Sequence, residues 1–205
     1  MPLPKTLYLN DKSSELVILD QTLLPGEEKY ISIHTAEEAA EAIRFLRVRG
    51  APAIGAAAAC AYYLEAKRLL NKDIAGFMRE LERVKKVLSD SRPTAVNLFW
   101  ALSRMERAAL SVCGGTEDIK KALAHECAQI IQEDIECCRK IGEYGLRLLA
   151  GADGVLTYCN AGALATTGCG TATAPIYAAY AAGKALKVFA AETRPLLQGA
   201  RLTSY

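Results

Sequence analysis

The chain has 205 residues, of which 51% are hydrophobic and 23% charged; this suits one large or two small packed domains and excludes a disordered chain. Its net charge of +2 leaves no electrostatic footprint for nucleic acid or an acidic membrane as a partner. After residue 150 the only charges are Lys184, Lys187, Arg194, Arg201, Asp153 and Glu192, too few for a solvated segment, so this tail reads as core or interface.

Met1-Pro2-Leu3-Pro4-Lys5 contains no apolar signal core. The longest apolar run, Ala56–Leu64, is far below the ~18–20 residues that span a bilayer. A soluble, cytoplasmic protein is expected. Seven cysteines with two histidines, an odd number without CxxC spacing, argue against a disulfide framework and against structural zinc.

Strand-like runs at Glu15–Asp20 and Lys29–Ile33 flank a Leu24-Pro25-Gly26 turn. Thr35 and Glu38 have capping-box spacing before an apolar stripe of Ala39, Ala42, Ile43 and Leu46, predicting a helix that ends at Arg49-Gly50. Pro52 suits the first turn of a second helix, Ala-rich and running to about Leu70. Further helices are predicted from Asp73 to about Leu88, from a break at Ser91-Arg92-Pro93-Thr94 over Ala95–Val112, and from Thr116 to near Gly151. The last carries Ile119, Leu123, Cys127, Ile130, Cys137, Ile141, Tyr144 and Leu148 at helical spacing, which marks Cys127 and Cys137 as core. Val155–Tyr158 and Leu186–Ala191 read as short buried strands joined by a Gly/Thr/Ala loop (159–170) and a helix over Thr171–Lys184. Such a βαβ unit makes the strands parallel. The fold class expected is α/β: a mainly helical unit, 1–150, with a few short strands, then the start of a parallel-sheet unit, 151–205.

The loop after the first βαβ strand is the natural ligand position, because ligands of open α/β sheets sit at the carboxyl ends of the strands. Gly168-Cys-Gly170-Thr-Ala-Thr173, with Glu192 after the next strand, invites a dinucleotide reading. The third glycine is missing, however, and nine residues separate Tyr158 from Gly168, whereas that fingerprint needs its glycines directly after the strand. An anion held by loop amides at the start of the Thr171 helix fits better. Cys159 ends the first strand. By position alone it reads first as a small buried hydrophobe and second as a thiol activated by amide donors; Cys169 shares its loop, and Cys60 reads as core. Arg49-Gly50-Ala51-Pro52 sets a guanidinium beside a helix start, an arrangement suited to phosphate, and Arg92 before Pro93 repeats it. A surface ion pair is the competing reading for each arginine. Gln198 is an uncharged donor and acceptor suited to sugar hydroxyls. His34 and His125 look incidental.

Four segments together are specific: Val48-Arg-Gly-Ala-Pro-Ala-Ile-Gly55, Ser91-Arg-Pro-Thr-Ala-Val-Asn-Leu98, Tyr158-Cys-Asn-Ala-Gly-Ala-Leu-Ala-Thr166 and Glu192-Thr-Arg-Pro-Leu-Leu-Gln-Gly-Ala-Arg-Leu-Thr203. In this order, the chain resembles the methylthioribose-1-phosphate isomerase family over residues 1–205. That family shares a superfamily with ribose-1,5-bisphosphate isomerases and with the regulatory subunits of the translation-initiation guanine-nucleotide exchange factor. The resemblance implies a helical N-terminal region followed by a Rossmann-like domain, usually in a homodimer. It implies substrate contacts at Arg49, Gly50, Ala51, Arg92 and Gln198, and a catalytic thiol at Cys159. It also implies a second catalytic residue, an Asp, in a further segment that completes the Rossmann-like domain. The expected reaction is the aldose–ketose isomerisation of 5-methylthioribose 1-phosphate in methionine salvage, without metal or nucleotide cofactor. The alternatives are a ribose-1,5-bisphosphate isomerase and a non-catalytic sugar-phosphate or nucleotide sensor. On this reading a chain ending at Tyr205 is inactive unaided and prone to aggregate through its open strands.

Overall fold

The computed structural model describes residues 3–70 and 73–205; Met1 and Pro2, part of the segment read for a signal core, lie outside them. The chain is mixed α/β with a helical majority. Strands β1 (Leu7–Asn10), β2 (Glu15–Leu19) and β3 (Tyr30–Ile33) form an antiparallel meander in that order, with Leu7 opposite Ile18 and Leu16 opposite Ile33. Only β1 escaped the sequence reading: four residues between polar neighbours carry too little alternation to stand out. The central strand β2 is buried on both faces. Leu16 and Ile18 join the helical core, while Leu19 meets Leu24, Leu164 and Leu202 from the far end of the chain.

Helix α1 (Ala36–Arg44) begins as expected, with the Thr35 hydroxyl accepting from the Glu38 amide. The Glu38 carboxylate accepts from His34 N–H at 2.6 Å, one residue before the cap. The helix ends five residues earlier than the apolar stripe suggests. Leu46 takes φ +62°, its N–H donates to Ile43 C=O, and Arg47 N–H donates to Ala42 C=O. This is a Schellman closure with leucine where glycine is usual, and it turns Val48 and Arg49 inward.

Helix α2 (Ala51–Arg68) is the axis of the fold, buried around its circumference from Ala53 to Ala66. It packs against α1, α3 (Ile74–Ser89), α4 (Val96–Leu110), α5 (Thr116–Leu148) and the β1–β2 pair. Alanine side chains permit such close approach on all sides. At Gly55 an added Cβ would lie 3.0 Å from the Asn97 carbonyl, so the start of α4 rests directly on α2. Pro93 does not start α4; a turn over residues 90–95, closed by Ala95 N–H donating to Arg92 C=O, precedes it.

In α5 the buried line is Ile119, Leu123, Cys127, Ile130, Cys138 and Gly142. Cys137, expected in the core, is exposed, as are Tyr144 and Leu148. A straight helix drifts against a seven-residue repeat, and the eleven-residue step from Cys127 to Cys138 follows that drift. The distal half of α5 faces α6 (Ala174–Ala181), where Gly142 and Gly145 admit Ala174 and Pro175.

Strands β4 (Gly154–Thr157) and β5 (Lys187–Ala190) pair in parallel, Val155 opposite Val188, with α6 as crossover. They are not the buried strands the sequence suggested: Leu156 is 74% exposed and Phe189 59%. Their apolar runs suit a sheet covered on both faces, and no described element covers this one fully. The tail is therefore core only in part, through Ala161–Thr166, Ala174, Ala179 and Leu202. Among the described residues no helix is long and apolar enough to cross a membrane.

Candidate functional site

Three segments converge where β4 ends, and the turn after β2 holds all three. Gln21, 1% exposed, donates its backbone N–H to Arg47 C=O and its Nε2 to Leu164 C=O at 2.7 Å. Its own carbonyl accepts from Arg201 Nη2 at 3.3 Å. Thr6 Oγ1 donates to Ala163 C=O at 2.6 Å, a second tie between the N-terminal sheet and the Cys159–Thr166 loop. The α2 start, this loop and the 192–203 segment thus share one support.

Cys159 is exposed rather than the small buried hydrophobe its position alone suggested. Its backbone has φ +67°, a left-handed conformation that costs a non-glycine residue roughly 1–2 kcal/mol. Two threonines hold it there: Cys159 N–H donates to Thr193 Oγ1 at 3.2 Å, and Thr203 Oγ1 donates to Cys159 C=O at 3.0 Å. The result presents the thiol at the carboxyl end of a parallel strand. Cys169 is half-buried, and burial pushes its thiol pKa up.

Gly50 is the N-cap of α2, at φ +95°; a Cβ there would lie 2.4 Å from Ala165 Cα. Only glycine allows both the backbone conformation and this contact. It sets Ala51, at the exposed first position of the helix, and Arg49 beside the cysteine loop. Arg49 is almost wholly buried. Burial first, then the like charges of Arg201 and, more weakly, Arg92, lower its pKa; a guanidinium stays charged regardless. With the Gln198 amide oriented to satisfy its surroundings, Nε2 donates to Thr193 C=O at 2.8 Å and Oε1 accepts from Arg49 Nη2 at 3.1 Å.

The ion-pair reading of Arg49 and Arg92 fails. Among the described residues neither lies within salt-bridge distance of a carboxylate, whereas Arg47 pairs with Asp20 and Glu41, and Arg194 with Glu192. Positive charge left unneutralised beside an exposed thiol suits a phosphate. Four sequence candidates, Arg49, Gly50, Cys159 and Gln198, are thereby neighbours in one place, with Ala51 at its helix start and Arg92 on the turn before α4, which rests on the same helix α2. Sequence reasoning missed Thr193, Thr203 and Arg201. All three lie in the Glu192–Thr203 segment singled out as specific, and Arg201 is one of the few charges of the tail.

Two other readings of the loop are corrected. Gly168 packs on Ile135 and Cys138 of α5, and a Cβ on Gly170 would lie 2.3 Å from Gly162; these glycines close the loop on the protein and offer no approach for a pyrophosphate. The first turn of α6 is likewise taken up by α5, since a Cβ on Gly145 would meet Pro175 Cγ at 2.3 Å. Arg49, with no carboxylate partner among the described residues, stands at the start of α2 instead. Among the described residues no three His, Cys, Asp or Glu side chains are grouped to hold a metal ion.

Residues 47–205 match the model of the Initiation factor 2 subunit family. The chain is 54% identical over 198 residues to a methylthioribose-1-phosphate isomerase of Symbiobacterium thermophilum, covering 96% of this chain and 55% of that protein. It is 52% identical over 198 residues to a 5-deoxyribose 1-phosphate isomerase of Petrotoga mobilis, again over 96% of this chain and 57% of the relative. The fold superposes on the crystal structure of 5-methylthioribose 1-phosphate isomerase from Pyrococcus horikoshii with TM-score 0.92 and 39% identity, over 100% of this chain and 57% of that one. It also superposes on the translation initiation factor eIF-2B subunit delta from A. fulgidus, with TM-score 0.89 and 41% identity, over 99% and 58% of the two chains. The chain therefore spans little more than half the length of these relatives.

Proposed function

The chain belongs to the Initiation factor 2 subunit family, and on that premise we propose that it carries the phosphate-holding and thiol-bearing part of an aldose–ketose isomerase. The substrate is 5-methylthioribose 1-phosphate and the product 5-methylthioribulose 1-phosphate. One observation carries this reading: Arg49 and Gln198 are linked through Thr193 to exposed Cys159, and among the described residues no carboxylate lies within salt-bridge distance of Arg49 or of Arg92. Relatives about half identical over nearly the whole chain bear the matching name.

Phosphate on the anomeric oxygen prevents the free ring opening of an ordinary aldose. The protein must open the ring and let C1 gain the hydrogen that C2 loses. Arg49, Arg92 and the α2 amides at Gly50–Ala51 hold the phosphate, Gln198 meets a sugar hydroxyl, and Cys159 stands at the reacting carbons. The resemblance assigns the partner acid to an Asp beyond Tyr205, in the segment that completes the Rossmann-like domain, within a cytoplasmic homodimer. No step of this reading calls for a metal or nucleotide.

The test is conversion of 5-methylthioribose 1-phosphate by the intact protein, followed by proton NMR, with 5-deoxyribose 1-phosphate and ribose 1,5-bisphosphate as competitors. Turnover of either sugar with an uncharged C5 end supports the isomerase. Exclusive turnover of the bisphosphate transfers the reading to its relatives, and absence of turnover with all three favours a sensor. A chain ending at Tyr205 is expected to be inactive alone, and light scattering of the intact protein checks the dimer.

A further inference from the structure

Arg201 has an unusual set of partners. It lies in the π turn Gly199–Thr203 and reaches back across the chain to the turn after β2. Its Nε donates to Leu24 C=O at 3.1 Å, and Nη2 lies within 2.9 to 3.3 Å of the carbonyls of Leu24, Thr22 and Gln21. Every one of these acceptors is neutral. Among the described residues no carboxylate lies within salt-bridge distance of it, although the neighbouring Asp20 is ionised and engaged by Arg47. Its guanidinium is therefore fixed by neutral partners, with no carboxylate paired to it, three residues from the Gln198 whose amide oxygen accepts from Arg49.

The same turn supports the rest of the site. Gln21 holds Arg47, two residues before Arg49, and Leu164, next to the Ala165 on which Gly50 rests. Arg201 fastens the segment carrying Gln198, Thr193 and Thr203 to that support. Gly199 seals the arrangement, since a Cβ there would fall 1.6 Å from the Ala191 carbonyl.

We propose that Arg201 is a positioning residue of the anion site: it pins the Gln198 segment to the Gln21–Leu24 turn and stands behind Arg49 as an unneutralised charge that favours a doubly charged ligand. This deepens the isomerase reading, because it rests on the site holding a phosphate, and it gives a role to a residue outside the expected contacts.

The experiment titrates the intact protein with inorganic phosphate by calorimetry at several salt concentrations, for wild type, Arg201→Met, Arg201→Lys and Arg49→Ala. Arg201→Met is expected to weaken phosphate on the order of tenfold and to flatten the salt dependence, as loss of one nearby charge requires. Arg201→Lys keeps the charge but not the fork; it should retain the wild-type salt dependence and recover part of the affinity. A merely structural arginine would not produce that split. Wild-type affinity in Arg201→Met, with Arg49→Ala impaired, overturns this inference and leaves the phosphate site standing. Equal losses in the Met and Lys variants, with the same flattened salt dependence, also overturn it. Should wild type bind no phosphate, the phosphate site falls and this inference with it. If the Met variant does not fold, the Lys variant decides: an unchanged salt dependence supports the charge role and a flattened one refutes it.

Discussion

Two cysteines ten residues apart in one loop are separated by their settings. Cys159 is exposed, strained at φ +67° and held through both backbone polar groups, while Cys169 is half-buried with a raised pKa. Strain of this kind persists only where surrounding contacts impose it. In the intact protein Cys159→Ser is expected to lower kcat by at least ~10²-fold, the loss of a placed proton-transfer group, while Cys169→Ser keeps most activity. Near-wild-type turnover by the Cys159 variant would remove the thiol from the mechanism. At Arg92 the prediction concerns geometry. Arg92 is half-buried on the turn before α4 and, among the described residues, has no carboxylate partner, so its fork remains available. Arg92→Lys, which keeps the charge, should still raise the KM for sugar phosphate roughly tenfold, since a point charge loses the paired hydrogen bonds; an unchanged KM would place the phosphate elsewhere.

Helix α5 shows how packing selects a face. The expected stripe and the observed one agree as far as Ile130 and then part by one residue, so that Cys138 is buried and Cys137 is not. Burial first, and then Asp134 nearby, push the Cys138 thiol up to about 11. Alkylation of the native protein near neutral pH, read by mass spectrometry, should therefore modify Cys137 well before Cys138. The reverse order would mean that α5 is rotated relative to the loop carrying Gly168. Cys60 and Cys127, which meet across α2 and α5 with sulfurs 3.5 Å apart, should stay unmodified until the protein unfolds.

Across the whole molecule, acid should be the sensitive direction. Asp20 is buried at the turn that supports the site. Desolvation alone would raise its pKa, but the Thr22 hydroxyl and amide, and then Arg47, outweigh it and hold the carboxyl below its ordinary value. Asp11, Glu37 and Glu133 are lowered too, chiefly by hydrogen bonds from Lys67, Arg83 and Arg104. A carboxyl with a depressed folded pKa binds fewer protons than its unfolded counterpart. Its stabilisation is complete above the ordinary carboxylate pKa and is lost as pH falls through the lower folded value. Denaturant midpoints should thus be flat from neutrality to about pH 5 and fall below about pH 4. Asp20→Asn should cost about 1–3 kcal/mol near neutrality, the range for leaving a buried partner poorly satisfied, and should make the acid fall shallower. An unaltered acid limb would show that Asp20 does not couple the turn to stability.

The helices from Thr35 to Leu148 and the parallel β4–α6–β5 crossover were legible in the chain, because caps and apolar spacing are local, while the candidate site residues were offered by four short motifs taken together. Thr35 before Glu38 and Pro52 after Gly50 each state their role within a few residues, whereas Cys159 by position alone reads as a buried hydrophobe and is exposed. Three-dimensional packing decided the rest. Whether Cys137 or Cys138 faces inward depends on where the loop carrying Gly168 lies against α5. Past the early end of α1, the Arg47 carbonyl accepts from the distant Gln21 N–H, and the exposure of β4 and β5 depends on what else covers their sheet. Above all, the support of the site by Gln21 and Arg201 joins residues about 180 positions apart through backbone carbonyls. Every residue offers a carbonyl, so no pattern of side chains along the chain announces which one a distant arginine will meet.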